Sequence, residues 1–232
     1  MIINISQRLR TIVDLVQKSN IICDIGTDHG LVPIFLVQNK IVKKAYACDI
    51  NEKPLKTAQK NIDEAKLTSY IKTIKSDGLQ SLPDENFDYA IIAGLGTPLI
   101  LDILKHDKNN ISKYIICSNT NVADIRMWAK VNNYQILTEK IIYENDKYYE
   151  CLVINKQLKN INNSKLDLLM GKSHSQKDFN FEIYSKLWNK RLLKNKKLIE
   201  ILKKKDYKRY KNLKKINKQI SKRLKYVSEK FL

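Results

Sequence analysis

Glycine is scarce in this 232-residue chain, and its placement restricts the fold. Five of the six glycines, Gly26, Gly30, Gly78, Gly94 and Gly96, stand where apolar, strand-like runs end. The first two lie in Ile21-Ile22-Cys23-Asp24-Ile25-Gly26-Thr27-Asp28-His29-Gly30, which reads as a buried strand, a tight turn with carboxylates and a helix start. Glycine is favoured where a backbone must turn sharply or approach a ligand with no Cβ in the way. Open α/β sheets bind ligands beyond the carboxyl ends of their strands. The glycines therefore mark a ligand edge.

The intervening sequence supports such a sheet. Residues 1–155 alternate apolar runs with helical patterns: Ile21–Ile25, a helix over Leu31–Gln38, a strand over Lys44–Ile50, and a helix over Lys53–Lys66. A strand over Tyr70–Ser76 leads to Asp77-Gly78. Phe87–Ala93 leads to Gly94-Leu95-Gly96, with Pro98 opening a helix where a missing N–H costs little. Ile111–Cys117 is followed by Ser118-Asn119-Thr120-Asn121 and a helix through Trp128; Tyr134–Tyr143 and Tyr148–Ile154 flank a hairpin turn. Alternating β and α units closed by a hairpin predict a doubly wound, Rossmann-like α/β domain of seven strands over residues 1–157.

Residues 158–232 read differently. A polar junction with a short helix precedes a stretch beyond Phe179 that contains neither Gly nor Pro. Its apolar residues recur at steps of three and four, among them Leu213, Ile216, Ile220, Leu224 and Val227. A break near Lys205-Asp206-Tyr207 predicts two antiparallel helices, an α-helical coiled-coil hairpin. Charge divides along the same line. Residues 1–155 hold 19 Lys/Arg and 18 Asp/Glu; residues 156–232 hold 24 and 6, so nearly all of the net +19 lies in the second part. That asymmetry points to a nucleic acid or an anionic surface as partner. A chain rich in Lys, Asn and Ile also follows from an AT-rich genome, and that reading of the lysines stays open. No apolar run is long enough to span a bilayer, and the N-terminus lacks the features of a signal peptide. Cys23, Cys48, Cys117 and Cys151 stand far apart in apolar runs and are expected to be reduced core residues; no CxxC spacing announces a metal. A cytoplasmic protein without membrane or metal partners is expected.

The loop chemistry narrows the ligand. Asp24-Ile25-Gly26-Thr27-Asp28-His29-Gly30 is not the dinucleotide GxGxxG. It resembles the first motif of class I S-adenosylmethionine-dependent methyltransferases. A carboxylate at this loop suits an ammonium group, and Asp49, 23 residues after Gly26, suits ribose hydroxyls. The order of Ser6-Gln7-Arg8-Leu9, Asp24-Ile25-Gly26-Thr27-Asp28-His29, Ala93-Gly94-Leu95-Gly96, Ser118-Asn119-Thr120-Asn121 and Glu144-Asn145-Asp146-Lys147-Tyr148-Tyr149-Glu150 resembles that of the bacterial tRNA (adenine-22-N1)-methyltransferases, the TrmK family. The family's "DIGSDHA", "GMGG" and "QPN" are met here with Gly30, with Leu95 and Thr97, and with Ser118 and Thr120 around a retained Asn119. The resemblance covers about residues 1–155, and the family's C-terminal helical coiled coil agrees in type with the rest.

The resemblance implies methyl transfer from S-adenosylmethionine to N1 of an adenine in the tRNA D-arm; a monomer is expected. Asp24, Gly26, His29, Asp49, Asp77, Gly78, Gly94 and Gly96 are the implied cofactor residues, Asp28 and Asn119 the implied catalytic ones. Arg8, Asn121, Lys194 and Lys203 are the implied contacts to tRNA. Each has a plainer reading: Asp24 and Asp49 as turn residues, Asn119 as a helix cap, Arg8 as a surface charge. Rival functions are methylation of another RNA or DNA base, a nicotinamide-dependent oxidoreductase, and a noncatalytic RNA-binding module on the same fold.

Overall fold

A computed structural model describes residues 5–159 and 163–231. The chain divides into two compact units, residues 1–162 and 163–232. The first extends beyond the expected boundary at residue 157 because its last strand continues through Lys159.

The first unit opens with helix α1 (Gln7–Asp14), whose N-terminus is capped by the Ser6 hydroxyl accepting from the Leu9 N–H. Strand β1 (Ser19–Ile25), helix α2 (Leu31–Gln38), strand β2 (Val42–Asp49), helix α3 (Glu52–Glu64) and strand β3 (Ile71–Lys75) follow. After them come β4 (Phe87–Ala93), α4 (Thr97–Leu104), β5 (Ile111–Ser118), α5 (Ala123–Val131), β6 (Tyr134–Glu144) and β7 (Lys147–Lys159). The sheet order is β3-β2-β1-β4-β5-β7-β6, parallel except for β7, which runs antiparallel to both β5 and β6. The β6–β7 hairpin turns through Asn145 and Asp146, both left-handed, as a tight two-residue turn requires.

Both faces of the central strands are buried, as expected of parallel strands covered by helices. Ile22, Ile91, Ile115 and Val153 pack on one side with Ile12, Val13, Ile34 and Ile62. Cys23, Ile25, Ile92 and Ile116 pack on the other with Ile100, Ile125 and Ala129. At about 25 cal/mol per Å² of apolar area removed from water, such two-sided burial is the main stabilising term. One buried charged group ties α5 to the hairpin: Arg126 meets Glu139 at 2.8 Å and Glu150 at 3.0 Å, all three nearly excluded from solvent.

The expectation of four reduced cysteines needs correction. Cys23 and Cys48 are free and buried, but Cys117 and Cys151 form a disulfide. They lie directly opposite each other in the β5–β7 register, a juxtaposition that their separation of 34 residues conceals.

The second unit begins with the short helix α6 (Lys165–Met170), whose start is held by reciprocal bonds between Ser164 and Asp167. Helices α7 (Phe181–Lys205) and α8 (Tyr207–Phe231) form the expected hairpin, broken at Asp206. Asn195 and Asn217, each 11 residues from Asp206, bond across the seam at 2.8 Å, so the two helices run antiparallel. A polar pair in an apolar seam fixes register. Trp188, Leu202, Ile220 and Val227 are buried along it, and Arg223 anchors α8 to Asp167 at 2.9 Å. No helix among the described residues is long and apolar enough to cross a membrane.

Candidate active site

Strand order reverses at β1, which passes to β2 on one side and β4 on the other. Loops leaving the carboxyl ends of two such strands diverge and leave a crevice. A cavity of about 320 Å³ occupies that place, lined from the β1 loop by Asp24, Gly26, Thr27, Asp28 and His29 and from the β4 end by Gly94 and Leu95. Arg8 of α1 closes one wall.

Two glycines are required by this geometry. Gly26 has φ +76° and Gly94 φ +81°, a region L side chains rarely adopt. A Cβ on Gly26 would lie 3.5 Å from Leu95 Cδ1, and one on Gly94 would lie 3.6 Å from Arg8 Nη1. Those are ordinary contact distances, so it is the left-handed backbone at the two strand ends, and not crowding, that calls for glycine.

Asp24 is the site's most perturbed group. It ends a central strand and is almost fully buried, and burial pushes its carboxyl from 3.8 up to about 6. The Thr27 hydroxyl and the Arg8 cation oppose that rise, while Asp49 adds to it. The Thr27 oxygen is itself buried and makes no hydrogen bond to another described residue, although it lies near enough to favour the charged carboxylate. Arg8 is half-buried, which excludes the plain surface-charge reading. Its guanidinium lies 5.1 Å over the Tyr149 ring, its Nε is 3.9 Å from Glu144 without a hydrogen bond, and its backbone N–H donates to Glu144 at 2.9 Å. A buried carboxylate, an orphaned hydroxyl and an orphaned guanidinium nitrogen around a cavity form a polar lining with unused hydrogen-bonding capacity, and such groups are costly unless a ligand satisfies them. That lining suits a zwitterionic amino-acid moiety: a carboxylate for its ammonium, donors for its carboxylate.

Among the other expected residues, Asp28 and His29 line this cavity. His29 and Asp28 are exposed and paired, Nε2 to Oδ2, at 3.0 Å. Asp49 stands at the end of β2, its carboxylate accepting from the Asn51 N–H at 2.7 Å. Asp77 and Gly78 follow β3, and Gly96 caps α4; none of these lines the cavity itself. Asn119 and Asn121 are exposed in the loop after β5. The plainer reading of Asn119 as a helix cap does not hold: α5 begins after Val122, and it is Asn121 that accepts from the Ala123 N–H. Lys194 and Lys203 are exposed on α7 of the second unit.

Sequence reasoning missed the clasp that holds Asn119. The Thr97 N–H donates to the Thr120 hydroxyl at 2.8 Å, and the Thr97 hydroxyl donates to the Asn121 carbonyl at 3.0 Å. The Ser118 hydroxyl donates to the Leu95 carbonyl at 3.0 Å and accepts from the Thr120 N–H at 3.2 Å. Three hydroxyls thus join the β4 loop to the β5 loop on both sides of Asn119. Thr97, Ser118 and Thr120 are among the positions, with Gly30 and Leu95, at which this chain departs from the pattern it resembles. Three hydroxyl residues near two strand ends were the only signal for this arrangement in the sequence.

Residues 5–152 match the model of the family described as a methyltransferase domain. A tRNA (adenine(22)-N(1))-methyltransferase of Bacillus subtilis is 30% identical over 154 residues, which cover 65% of each chain. A structure of TrmK from M. capricolum, in complex with S-adenosyl-homocysteine, is 39% identical and superposes with a TM-score of 0.87 over 96% of this chain and 99% of that one. The chain belongs to the TrmK family of methyltransferases. Another solved relative, a putative tRNA (m1A22) methyltransferase of Streptococcus pneumoniae in complex with S-adenosyl-L-methionine, is 27% identical with a TM-score of 0.82, covering 95% of this chain and 100% of that one. For a TrmK-family protein, a crevice at the β1/β4 switch point is the expected ligand position.

Proposed function

We propose that this protein transfers a methyl group from S-adenosylmethionine to N1 of adenine 22 in the D-arm of tRNA. The observation that carries the reading is the cavity at the switch point, with buried Asp24 and the left-handed glycines Gly26 and Gly94, in a chain so similar to relatives solved with this cofactor and its product. Bound there, the cofactor supplies a methyl group on a positively charged sulfur.

The chain's residues take the remaining tasks. Asp24 accepts from the cofactor's ammonium, and Gly26 and Gly94 let the backbone close on it. Asp49 accepts from the ribose hydroxyls, Asp77 and Gly78 flank the adenine, and His29 and Gly96 border the cofactor from the loop ends. Adenine N1 is neutral with an in-plane lone pair, so no general base is needed before it attacks; the product is a cationic 1-methyladenine, which can release an N6 proton to water. Catalysis then rests on orientation, for which ~7–11 kcal/mol is available to well-aligned reactants. Asp28 or Asn119 accepts from the N6 amino group, which orients N1, and a carboxylate also stabilises the positive charge that develops. Drawing a base from the D-arm stack costs a few kcal/mol, and Arg8 and Asn121 contact the tRNA. Lys194 and Lys203 contact phosphates.

The test is incubation of unmodified tRNA transcripts with labelled S-adenosylmethionine, followed by nucleoside analysis. 1-Methyladenosine is expected in the natural transcript and absent when adenine 22 is replaced by guanine. Label retained in the guanine transcript assigns the activity to another nucleotide.

A further inference from the structure

The tip of the second unit's hairpin carries a feature the phosphate-gripping role does not use. Residues 203–215 hold eight Lys/Arg and a single carboxylate, Asp206. Asp206 is committed to the backbone: its Oδ1 accepts from the Arg209 N–H at 3.0 Å, capping the start of α8. In that first turn Tyr207 and Tyr210 stand at i and i+3, on one face of the helix. Their rings stack with centroids 5.7 Å apart and planes 21° from parallel. Lys211 Nζ lies 4.6 Å from the Tyr207 ring centre and Lys214 Nζ 5.6 Å from that of Tyr210. Tyr207 is 62% exposed and Tyr210 half-buried, so Tyr207 is the ring of the pair open to solvent.

A stacked ring pair with one exposed member, surrounded by cations, has the chemistry of single-stranded nucleic-acid recognition. A base has a π-face that stacks on tyrosine, and its flanking phosphates neutralise ammonium groups. Eight cations against one carboxylate also disfavour a second copy of the same tip, because like charges would meet. The lysines over the rings are held by long flexible stems and can swing to a phosphate as a base arrives.

We propose that Tyr207 and Tyr210 form a stacking platform for an unpaired base of the RNA substrate, with the surrounding lysines on its phosphates. The inference rests on the tRNA reading above and adds to it a preference for unpaired over duplex RNA at the hairpin tip.

The full-length protein and its Tyr207→Ala/Tyr210→Ala and Tyr207→Phe/Tyr210→Phe variants would be titrated by fluorescence anisotropy against a labelled single-stranded oligoribonucleotide and the corresponding duplex, over a salt series. The alanine variant is expected to lose roughly 5- to 150-fold in single-strand affinity, the range for stacking of one base, with duplex affinity and salt slope unchanged. The phenylalanine variant should bind like the wild type, which also controls for folding. Unchanged single-strand binding in the alanine variant overturns the proposal. So does an equal loss on both RNAs, which would make the pair a packing element, or a wild-type dimer that the alanine variant dissolves. Methylation of tRNA, measured separately on the same wild-type protein, distinguishes failure of the platform from failure of the tRNA reading.

Discussion

The two compact units use their backbones in opposite ways. The first places five glycines at strand ends, buries a carboxylate and keeps charge nearly balanced over residues 1–155. The second has one glycine, two uninterrupted 25-residue helices and almost the whole net charge of the chain. Glycine loops bring backbone and buried polar groups close to a small ligand, where fixed geometry matters. A lysine-covered hairpin offers a long array of exposed charge, where reach and counterion release matter more than placement. On the function proposed above, a methyl-transfer site and an RNA grip make different demands on a backbone, and the chain meets them in separate segments.

The sharpest way to break that comparison is at Asp24. If its carboxylate receives the cofactor's ammonium, Asp24→Asn should weaken cofactor affinity by at least ~100-fold, on the order of 3 kcal/mol for a lost charge-assisted bond, while RNA affinity stays unchanged. Stability moves the other way. The folded pKa of about 6 lies above the unfolded 3.8, so this group's contribution to stability is fully present below pH 4 and lost as pH rises through 6. An asparagine cannot ionise, and the variant should therefore be more stable than the wild type at pH 7, by about 1–3 kcal/mol, with the gap closing at pH 4. Denaturant melts of both proteins at the two pH values check the sign; a less stable variant at pH 7 would remove Asp24 from the account.

A smaller effect sharpens the boundary between holding the cofactor and presenting the base. Thr97→Val keeps the volume of the side chain but removes the hydroxyl that joins the β4 and β5 loops. Losing that bond costs about 1–2 kcal/mol locally and leaves the Asn121 carbonyl unpaired. Turnover is expected to fall roughly tenfold with cofactor affinity unchanged, read by single-turnover methyl transfer beside a cofactor titration. Equal turnover would mean that the clasp does not set the orientation of Asn119.

Much of the fold was legible because its signals are local. Leu31–Gln38 matches α2 residue for residue, and the hairpin break at Asp206 follows from an apolar stripe of period 3.6 interrupted at Lys205-Asp206-Tyr207. Gly26 and Gly94 were legible as site residues because a left-handed backbone at a strand end leaves a mark in the sequence. What was not legible depends on register between distant segments. Helix α1 is only eight residues long and was missed behind its Ser6 cap. The Cys117–Cys151 bond, the Arg126–Glu139–Glu150 cluster and the Thr97–Ser118–Thr120 clasp all join residues on different strands or loops, and no spacing within one segment announces them. Thr27 and Leu95 belong to motifs that were read, but their part in the cavity appears only once the β1 and β4 loops face each other.

The central claim is that the first unit holds the cofactor and the second captures the RNA. Its most direct test compares the full chain with a chain ending at Asn162, measuring the dissociation constants for S-adenosylmethionine and for unmodified tRNA under the same salt. The account predicts unchanged cofactor affinity and tRNA affinity weakened by at least ~10-fold, with a shallower salt dependence as phosphate contacts are lost. Unchanged tRNA affinity in the shortened chain would contradict it.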